Sequence, residues 1–330
     1  MTDEAAAKPF RIAVCVLTFH RPAGLVRTLR SVAALDRPEG CELSALVVDN
    51  ASDGSAAAIV ESLDWPETAP PLRGVHEPTP GISAARNRTI DEALTQAPPA
   101  DAIAFLDDDE TAAPDWLVAA VAAMRRHAAD VVTGPTVSAF ETALPPELVD
   151  NPVFRPRAVN RDTGLTTAYT GNVLFTLDPV QASGVRFDAR FAATGGSDHR
   201  FFSQLHAAGA KIVWAADAIT TEWQPAERLT AAYVRRRFHR NGFGLSRLAL
   251  ADRTGLRRAT ASLVQLAKAG VWFAIGCGES LAGVFSPRRR LLGAMHRDYA
   301  RGLICGVGSG ELRFYGPPPD ASPSRDPSVP

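Results

Sequence analysis

Cysteine is scarce in this chain: four residues in 330, Cys15, Cys41, Cys277 and Cys305, with no pair at a metal-ligating spacing. They read as reduced thiols of a cytosolic protein, not as a disulfide framework. Met1 to Lys8 is acidic and alanine-rich and lacks the apolar core of a secretory signal. There is no Walker-type phosphate loop, the glycine-rich string that ends in Lys-Ser or Lys-Thr. Internal repeats are missing, and so is any recognised DNA- or RNA-binding pattern, so nucleic acid is not an expected partner. The most apolar stretch late in the chain, Ala269 to Cys277, is about half the length needed to cross a bilayer.

What is present is ordinary globular material with an uneven charge. Hydrophobic residues make up 46% and charged residues 22%, enough apolar material for a sizeable core. The net charge of −1 hides two opposed halves. Residues 1–223 carry 18 Lys+Arg against 29 Asp+Glu, a balance of −11. Residues 224–330 carry 17 against 7, a balance of +10. An acidic body points to a cation, and a basic tail to something anionic.

The sharpest local feature is Ala104-Phe105-Leu106-Asp107-Asp108-Asp109-Glu110, an apolar run that ends in four acids. It reads as a buried strand opening into a carboxylate-lined crevice. Like charges at ~4 Å repel by about 1 kcal/mol in water and several-fold more when partly buried. A hard cation such as Mg²⁺ or Mn²⁺ relieves that repulsion, often sharing carboxylates with substrate phosphates. Side-chain alternation lets Asp107 and Asp109 point one way and Asp108 another. The plain alternative is a solvated acidic turn before a helix, with Glu110 and Asp115 near its N-terminus.

The surrounding pattern alternates strand and helix. Arg11 to Phe19 is continuous enough for a strand buried on both faces, and Pro22 suits the first turn of a helix to Asp36. Leu43 to Val48 is a second strand, Leu72 to His76 a third, and Ile82 to Gln96 a helix. This order calls for a mostly parallel α/β sheet with helices on both faces. Ligands in such sheets bind at the carboxyl ends of strands, where Thr18, Phe19, Asp49, Asn50 and the acid cluster fall. Asp49 is either a nucleotide contact or a turn former. Gly81 to Arg88 starts a helix with small residues and two arginines, suited to phosphates or simply amphipathic.

These strings together resemble the family 2 glycosyltransferases, which have the GT-A fold. The resemblance rests on Val14 to Pro22, Val48 to Ser52, Ser83 to Asn87, Phe105 to Glu110 with Trp116-Leu117, Thr170 to Phe175, and Phe187-Asp188 through Gly195 to Phe202. More narrowly, Ala104 to Glu110 and the basic segment Arg235 to Gly242 are similar to succinoglycan-type exopolysaccharide glucosyltransferases. The resemblance covers roughly residues 10–225 and implies a GT-A domain over residues 1–225. The residues after it read as a helical basic extension over 226–315, with a helix from Ala226 to Leu250, and a Pro-, Ser- and Asp-rich tail over 316–330 that is expected to be disordered. The resemblance also implies inverting transfer of a hexose, glucose from UDP-glucose, to a polyprenyl-diphosphate-linked oligosaccharide in bacterial polysaccharide synthesis. The protein would then be cytoplasmic and peripheral at the inner membrane.

Residue roles follow from the same resemblance. Asp107 and Asp109 would hold Mg²⁺ or Mn²⁺, and Asp198 would be the catalytic base at a helix N-terminus. Thr18, Phe19, Arg21, Asp49, Asn50, Arg86, Asp107 and Asp108 would meet the nucleotide. Asn172, Gly196, Ser197, Arg236 and Arg240 would meet the acceptor or its phosphates. The sequence departs from the pattern twice. Ser197 stands where the family usually has Glu, and Thr220-Thr221-Glu222-Trp223 where relatives often carry a metal-binding His. The first departure leaves a second class open, a catalytically impaired sugar-nucleotide-binding or scaffold protein. A nucleotidyltransferase is disfavoured, because Thr18 to Arg21 supplies no glycine-rich loop.

Overall fold

The computed structural model describes residues 8–156, 164–192 and 194–308. The tail expected to be disordered from Gly316 lies outside the described residues. The chain begins with β1 (Phe10–Thr18), α1 (Pro22–Ala33), β2 (Cys41–Asp49), α2 (Ala56–Ser62), β3 (Leu72–His76), α3 (Ile82–Thr95) and β4 (Ala102–Asp107). Next come β5 (Glu110–Ala112), α4 (Trp116–His127), β6 (Val131–Thr133), β7 (Thr136–Phe140), β8 (Asn172–Thr176) and α5 (Asp178–Ser183). It ends with α6 (Ser197–Ala207), β9 (Ile212–Trp214), β10 (Thr220–Gln224), α7 (Ala231–Leu250), α8 (Gly255–Ala282) and α9 (Pro287–Val307).

Seven strands form the main sheet in the order β3-β2-β1-β4-β8-β6-β9. The first four run parallel, β8 is antiparallel to both neighbours, and β6 and β9 are parallel. Both faces of the central strands are buried. Ile12, Val14 and Val16 of β1 pack into one apolar layer with α1 and α4, and Ala13, Cys15 and Leu17 into the opposite layer with α3 and α6. That is why β1 and β4 read as continuous apolar runs. The second layer holds a nest of rings: Phe187 stacks on Phe201 at 4.0 Å, and Phe175 meets Phe202 edge-on at 5.6 Å.

Glu110 opens β5, which joins β10 and β7 in a small second sheet, so of the two acids offered to a helix start only Asp115 adjoins α4, which begins at Trp116. In the extension expected to be helical from residue 226, the first α-helix begins at Ala231. A single 3₁₀ turn precedes it, and the Thr230 hydroxyl caps α7 by accepting from the Tyr233 N–H.

The three C-terminal helices pack as a layer in the order α7, α9, α8. Glycines permit the close approach of α7 to α9. A Cβ on Gly302 would lie 2.0 Å from the His239 carbonyl oxygen, and one on Gly242 would lie 2.2 Å from that of Tyr299. The layer is anchored to the body through Leu148, Phe154, Leu229, Val234, Leu291 and Met295. The Ala269 to Cys277 run, by itself about half a bilayer-crossing length, lies inside the 28-residue α8.

Asn172, expected at the acceptor, is instead a buried fastener. Its Oδ1 accepts from Trp116 Nε1 at 2.8 Å, and its Nδ2 donates to the carbonyls of Pro135 and Ala218 at 3.0 and 2.8 Å. Every polar atom of the side chain is spent inside the protein. Truncation in Asn172→Ala removes the partners of a buried indole N–H and of the Ala218 carbonyl, while the Pro135 carbonyl keeps the Thr220 N–H, so unfolding in urea should show a loss of about 1–3 kcal/mol. An unchanged midpoint would contradict this role.

Candidate active site

The parallel strands deliver their C-terminal ends to one edge of the sheet, and the acids gather there. Asp108 is buried and joins the ends of β1 and β4. Its Oδ2 accepts from Thr18 Oγ1 at 3.0 Å and from the Phe19 N–H at 3.3 Å, and its Oδ1 accepts from Arg21 Nη1 at 2.9 Å. The nucleotide contacts expected of Asp108 and Thr18 therefore need correction. Their side chains bond each other and fix the crevice floor, leaving the exposed Phe19 ring as the part of this loop open to a base.

Asp109 faces another way. Its Oδ2 accepts from Arg21 Nη1 at 2.8 Å and from Arg228 Nη2 at 2.6 Å. Arg228 Nη1 donates to Glu222 at 3.0 Å, and Arg237 pairs with Glu222 at 3.8 Å. Glu222 on β10 stands directly opposite Glu110 on β5. Like charges across an antiparallel pair are unfavourable. Here the two arginines offset that repulsion on the Glu222 side.

The remaining strain falls on Asp107 and Glu110. Loss of water around Asp107, then the charge of Asp109, pushes its carboxyl up to about 7, with the Arg86 guanidinium opposing. Burial first, then Asp107, Asp109 and Glu222, holds Glu110 well above the usual carboxylate range. Glu110 Oε2 has no hydrogen-bond partner, and the Gly171 backbone presses on it so closely that a Cβ there would be 2.5 Å from Oε1. Crowded oxygen donors that resist ionisation suit a hard divalent cation. The residues present therefore fit Mg²⁺ or Mn²⁺ in chemistry. Among the described residues no three His, Cys, Asp or Glu side chains are arranged as a complete metal cage. That matches a cation that takes one or two carboxylates and completes its shell with phosphates and water.

A second group lies beside the first. Arg86 is buried; its Nη1 donates to Ser197 Oγ at 2.6 Å and its Nη2 to Thr170 Oγ1, while its Nε has no partner. Ser197 is thus a buried anchor for the α6 N-terminus, not an exposed acceptor contact. Gly195 and Gly196, at φ +82° and +93°, make the left-handed turn that leads into α6. Asp198 follows, half-buried in the first helical turn, its Oδ1 accepting from the His199 N–H at 2.8 Å. His206, in the last turn of α6, bonds the Ala210 carbonyl through Nδ1.

Four other expected contacts serve loops or lie apart. Asp49 is buried and accepts from the N–H groups of Ala51 and Ala56, both at 2.8 Å, which fits its turn-forming alternative. Asn50 spends its amide on the carbonyls of Glu77 and Thr79 and accepts from the Gly81 N–H, so it fastens the loop before α3. Arg236 is exposed over the Tyr233 ring, 5.9 Å from its centre, and Arg240 lies one turn further along α7. The tail arginines with direct bonds or ion pairs to the acid cluster are Arg228 and Arg237. Sequence reasoning missed Arg228, and it touched Arg237 only within a basic segment and Glu222 only within a departure from the family pattern. Only the pairing of β10 with β5, across more than a hundred residues, brings them to the acids.

Comparison with known proteins agrees with this geometry. Residues 13–181 match the family model described as Glycosyl transferase family 2. The chain is 33% identical over 307 residues to the succinoglycan biosynthesis protein ExoM of Rhizobium meliloti, covering 92% of this chain and 96% of that one. The mannosyltransferase PcManGT of Pyrobaculum calidifontis, solved with GDP-Man and Mn²⁺, superposes with a TM-score of 0.61 at 16% identity, over 93% of this chain and 89% of that one. TarS 1–349 of S. aureus, solved with UDP-GlcNAc, gives 0.51 at 14% identity, over 93% and 99%. The GT-A fold expected from the sequence is the one observed.

The raised Asp107 carboxyl has a measurable consequence. Between about 4 and 7 the folded protein holds a proton there that the unfolded chain releases. Its contribution favours folding at low pH and is lost as pH rises through the folded value. In EDTA, Asp107→Asn should lower the melting temperature less, or raise it, as pH goes from 4 to 7 relative to the wild type. Parallel wild-type and variant curves would contradict the burial of this charge.

Proposed function

The chain belongs to glycosyl transferase family 2, and from that premise we propose that it is an inverting, metal-dependent hexosyltransferase of bacterial exopolysaccharide synthesis. The donor is a nucleotide-sugar, UDP-glucose by the likeness of the Ala104 to Glu110 string to succinoglycan-type enzymes. The acceptor is an oligosaccharide on a polyprenyl diphosphate, met at the cytoplasmic face of the inner membrane. The observation that carries this reading is the convergence of Asp107, Asp109, Glu222 and two arginines at the carboxyl end of the sheet.

Mg²⁺ or Mn²⁺ held by Asp107 and Asp109 would supply charge neutralisation for the departing diphosphate. The protein's own groups do the rest. An acceptor hydroxyl oxygen attacks the anomeric carbon, the bond from that carbon to the diphosphate oxygen breaks, and the nucleoside diphosphate leaves with the electron pair. Asp198 takes the hydroxyl proton. It stands in the first turn of α6, directly after the glycine turn. Arg21 and Arg228 hold Asp109 through the same oxygen. Both guanidinium groups stand at the mouth of the acid cluster and suit the diphosphate as planar donors, and a metal held by Asp109 would compete with them for that oxygen.

Replacement of Asp198 by Asn should lower transfer about 10²–10⁴-fold with donor binding intact. Asp109→Ala should abolish metal-dependent release of nucleotide from the donor. Loss of donor binding in Asp198→Asn, or full transfer, would remove Asp198 from the base role. A scaffold protein, the alternative raised by Ser197, would bind donor and transfer nothing in the wild type.

The competition for Asp109 gives an opposed pair of effects. Calorimetry on Arg228→Ala should show tighter Mn²⁺ binding without nucleotide, because Asp109 loses a competitor. It should also show nucleoside diphosphate binding weakened about 10–100-fold, the worth of a charge-assisted hydrogen bond. Changes of the same sign in both would contradict the competition.

A further inference from the structure

The outer face of α8 is the largest apolar feature that the proposed chemistry does not use. Leu263, Val271, Phe273 and Leu281 point away from the protein, and Phe285 at the turn into α9 is 98% exposed. The one charge on that face is Lys268; the only acid of α8, Glu279, is turned inward to His296 Nδ1 at 2.7 Å. Arginines bracket the face, Arg257 and Arg258 at one end and Arg288, Arg289 and Arg290 at the other, all exposed. We infer that this face is a membrane-contact surface which lies in the plane of an anionic phospholipid bilayer, held by its apolar strip and by arginines at both ends.

The chemistry selects this occupant over a second copy of the chain. Both ends of the strip are basic, so parallel or antiparallel self-pairing sets arginines against arginines. Phospholipid headgroups of negative charge complement both ends at once. A helix with one apolar face and basic flanks is suited to the boundary between headgroups and acyl chains, where a lysine stem can lie along the apolar surface with its ammonium in water.

The helix has the length and composition to cross a bilayer, with a mean hydropathy of 1.3 in its most apolar window. Its inner face keeps it flat. A Cβ on Gly276 would lie 2.6 Å from the Gly293 carbonyl oxygen, so α8 and α9 touch backbone to backbone. Arg297 Nη1 donates to the Gly276 carbonyl at 2.8 Å and to Ser280 Oγ at 2.5 Å. Spanning would strip α8 from these partners and carry Gln265 and Glu279 into lipid, which is costly. An in-plane helix loses none of them. The inference deepens the proposed function and rests on it in one respect: a bilayer at α8 is the surface that would present a polyprenyl-linked acceptor.

The test is co-sedimentation of the full chain with vesicles of phosphatidylcholine alone, or of equal parts phosphatidylcholine and phosphatidylglycerol. The wild type should bind the mixed vesicles at least about tenfold more tightly than the neutral ones. Val271→Asp with Phe273→Asp should abolish binding, and Arg257→Gln with Arg258→Gln and Arg289→Gln should erase the preference for the anionic vesicles. Alkaline carbonate should release the bound wild type. Circular dichroism and donor hydrolysis without vesicles should be unchanged in the Val271/Phe273 variant, which separates failure of this surface from failure of the proposed chemistry. No vesicle binding by the wild type overturns the inference. So does resistance to carbonate, which would mean a spanning helix, or a wild-type dimer in light scattering that the Val271/Phe273 variant dissolves.

Discussion

Crowded carboxylates at the end of β4 are the constraint on which the site depends. Two charges 4 Å apart repel by about 4 kcal/mol at the effective dielectric of a partly buried site. Asp107, Asp108, Asp109, Glu110 and Glu222 gather where the sheet opens, and each is handled differently. Asp108 is neutralised by Arg21 and bonded to Thr18. Asp109 and Glu222 share Arg228. Asp107 and Glu110 have no such partner and are held toward their protonated forms. The fold thus gathers more acid than basic partners at the edge of the sheet where the parallel strands end.

The helical layer is part of that arrangement. Arg228 sits in the turn just before α7, so the position of α7 sets the position of the guanidinium that holds Asp109. That helix is fixed by glycine-mediated contact with α9 and by the apolar cluster around Met295. It also closes over the glycine turn before Asp198: a Cβ on Gly196 would lie 3.0 Å from Leu248 Cδ1. A further tie comes from Asp252, beyond the end of α7, which pairs with Arg190 and Arg200 beside that turn. The basic half of the chain is thus coupled to both the acid cluster and the turn that leads into Asp198.

Much of the fold was legible because its signals are local. The continuous apolar runs of β1 and β4 report burial on both faces, and Pro22 marks the start of α1. The division of Asp107 and Asp109 from Asp108 was legible from side-chain alternation and the resemblance. What sequence could not show was non-local. Asn50, Asn172 and Ser197 look like ligand contacts as polar residues in recognised strings, yet each is consumed by partners that only the folded chain supplies. Arg228 lies in no recognised motif, and Glu222 stands out in sequence only as part of a departure from the family pattern. Arg236 and Arg240 attracted attention as a basic cluster, whereas the helix phase of α7 aims Arg237 at Glu222.

The central claim is that the acid cluster binds a cation together with a nucleoside diphosphate. Calorimetry with UDP in the presence of Mn²⁺, and again in EDTA, tests it most directly. The account predicts saturable binding with Mn²⁺ and little or none in EDTA, since the bare diphosphate would face Asp107, Asp109 and Glu222 unscreened. Equal affinity in the two conditions, or no binding of UDP, GDP or dTDP with Mn²⁺ present, would contradict it.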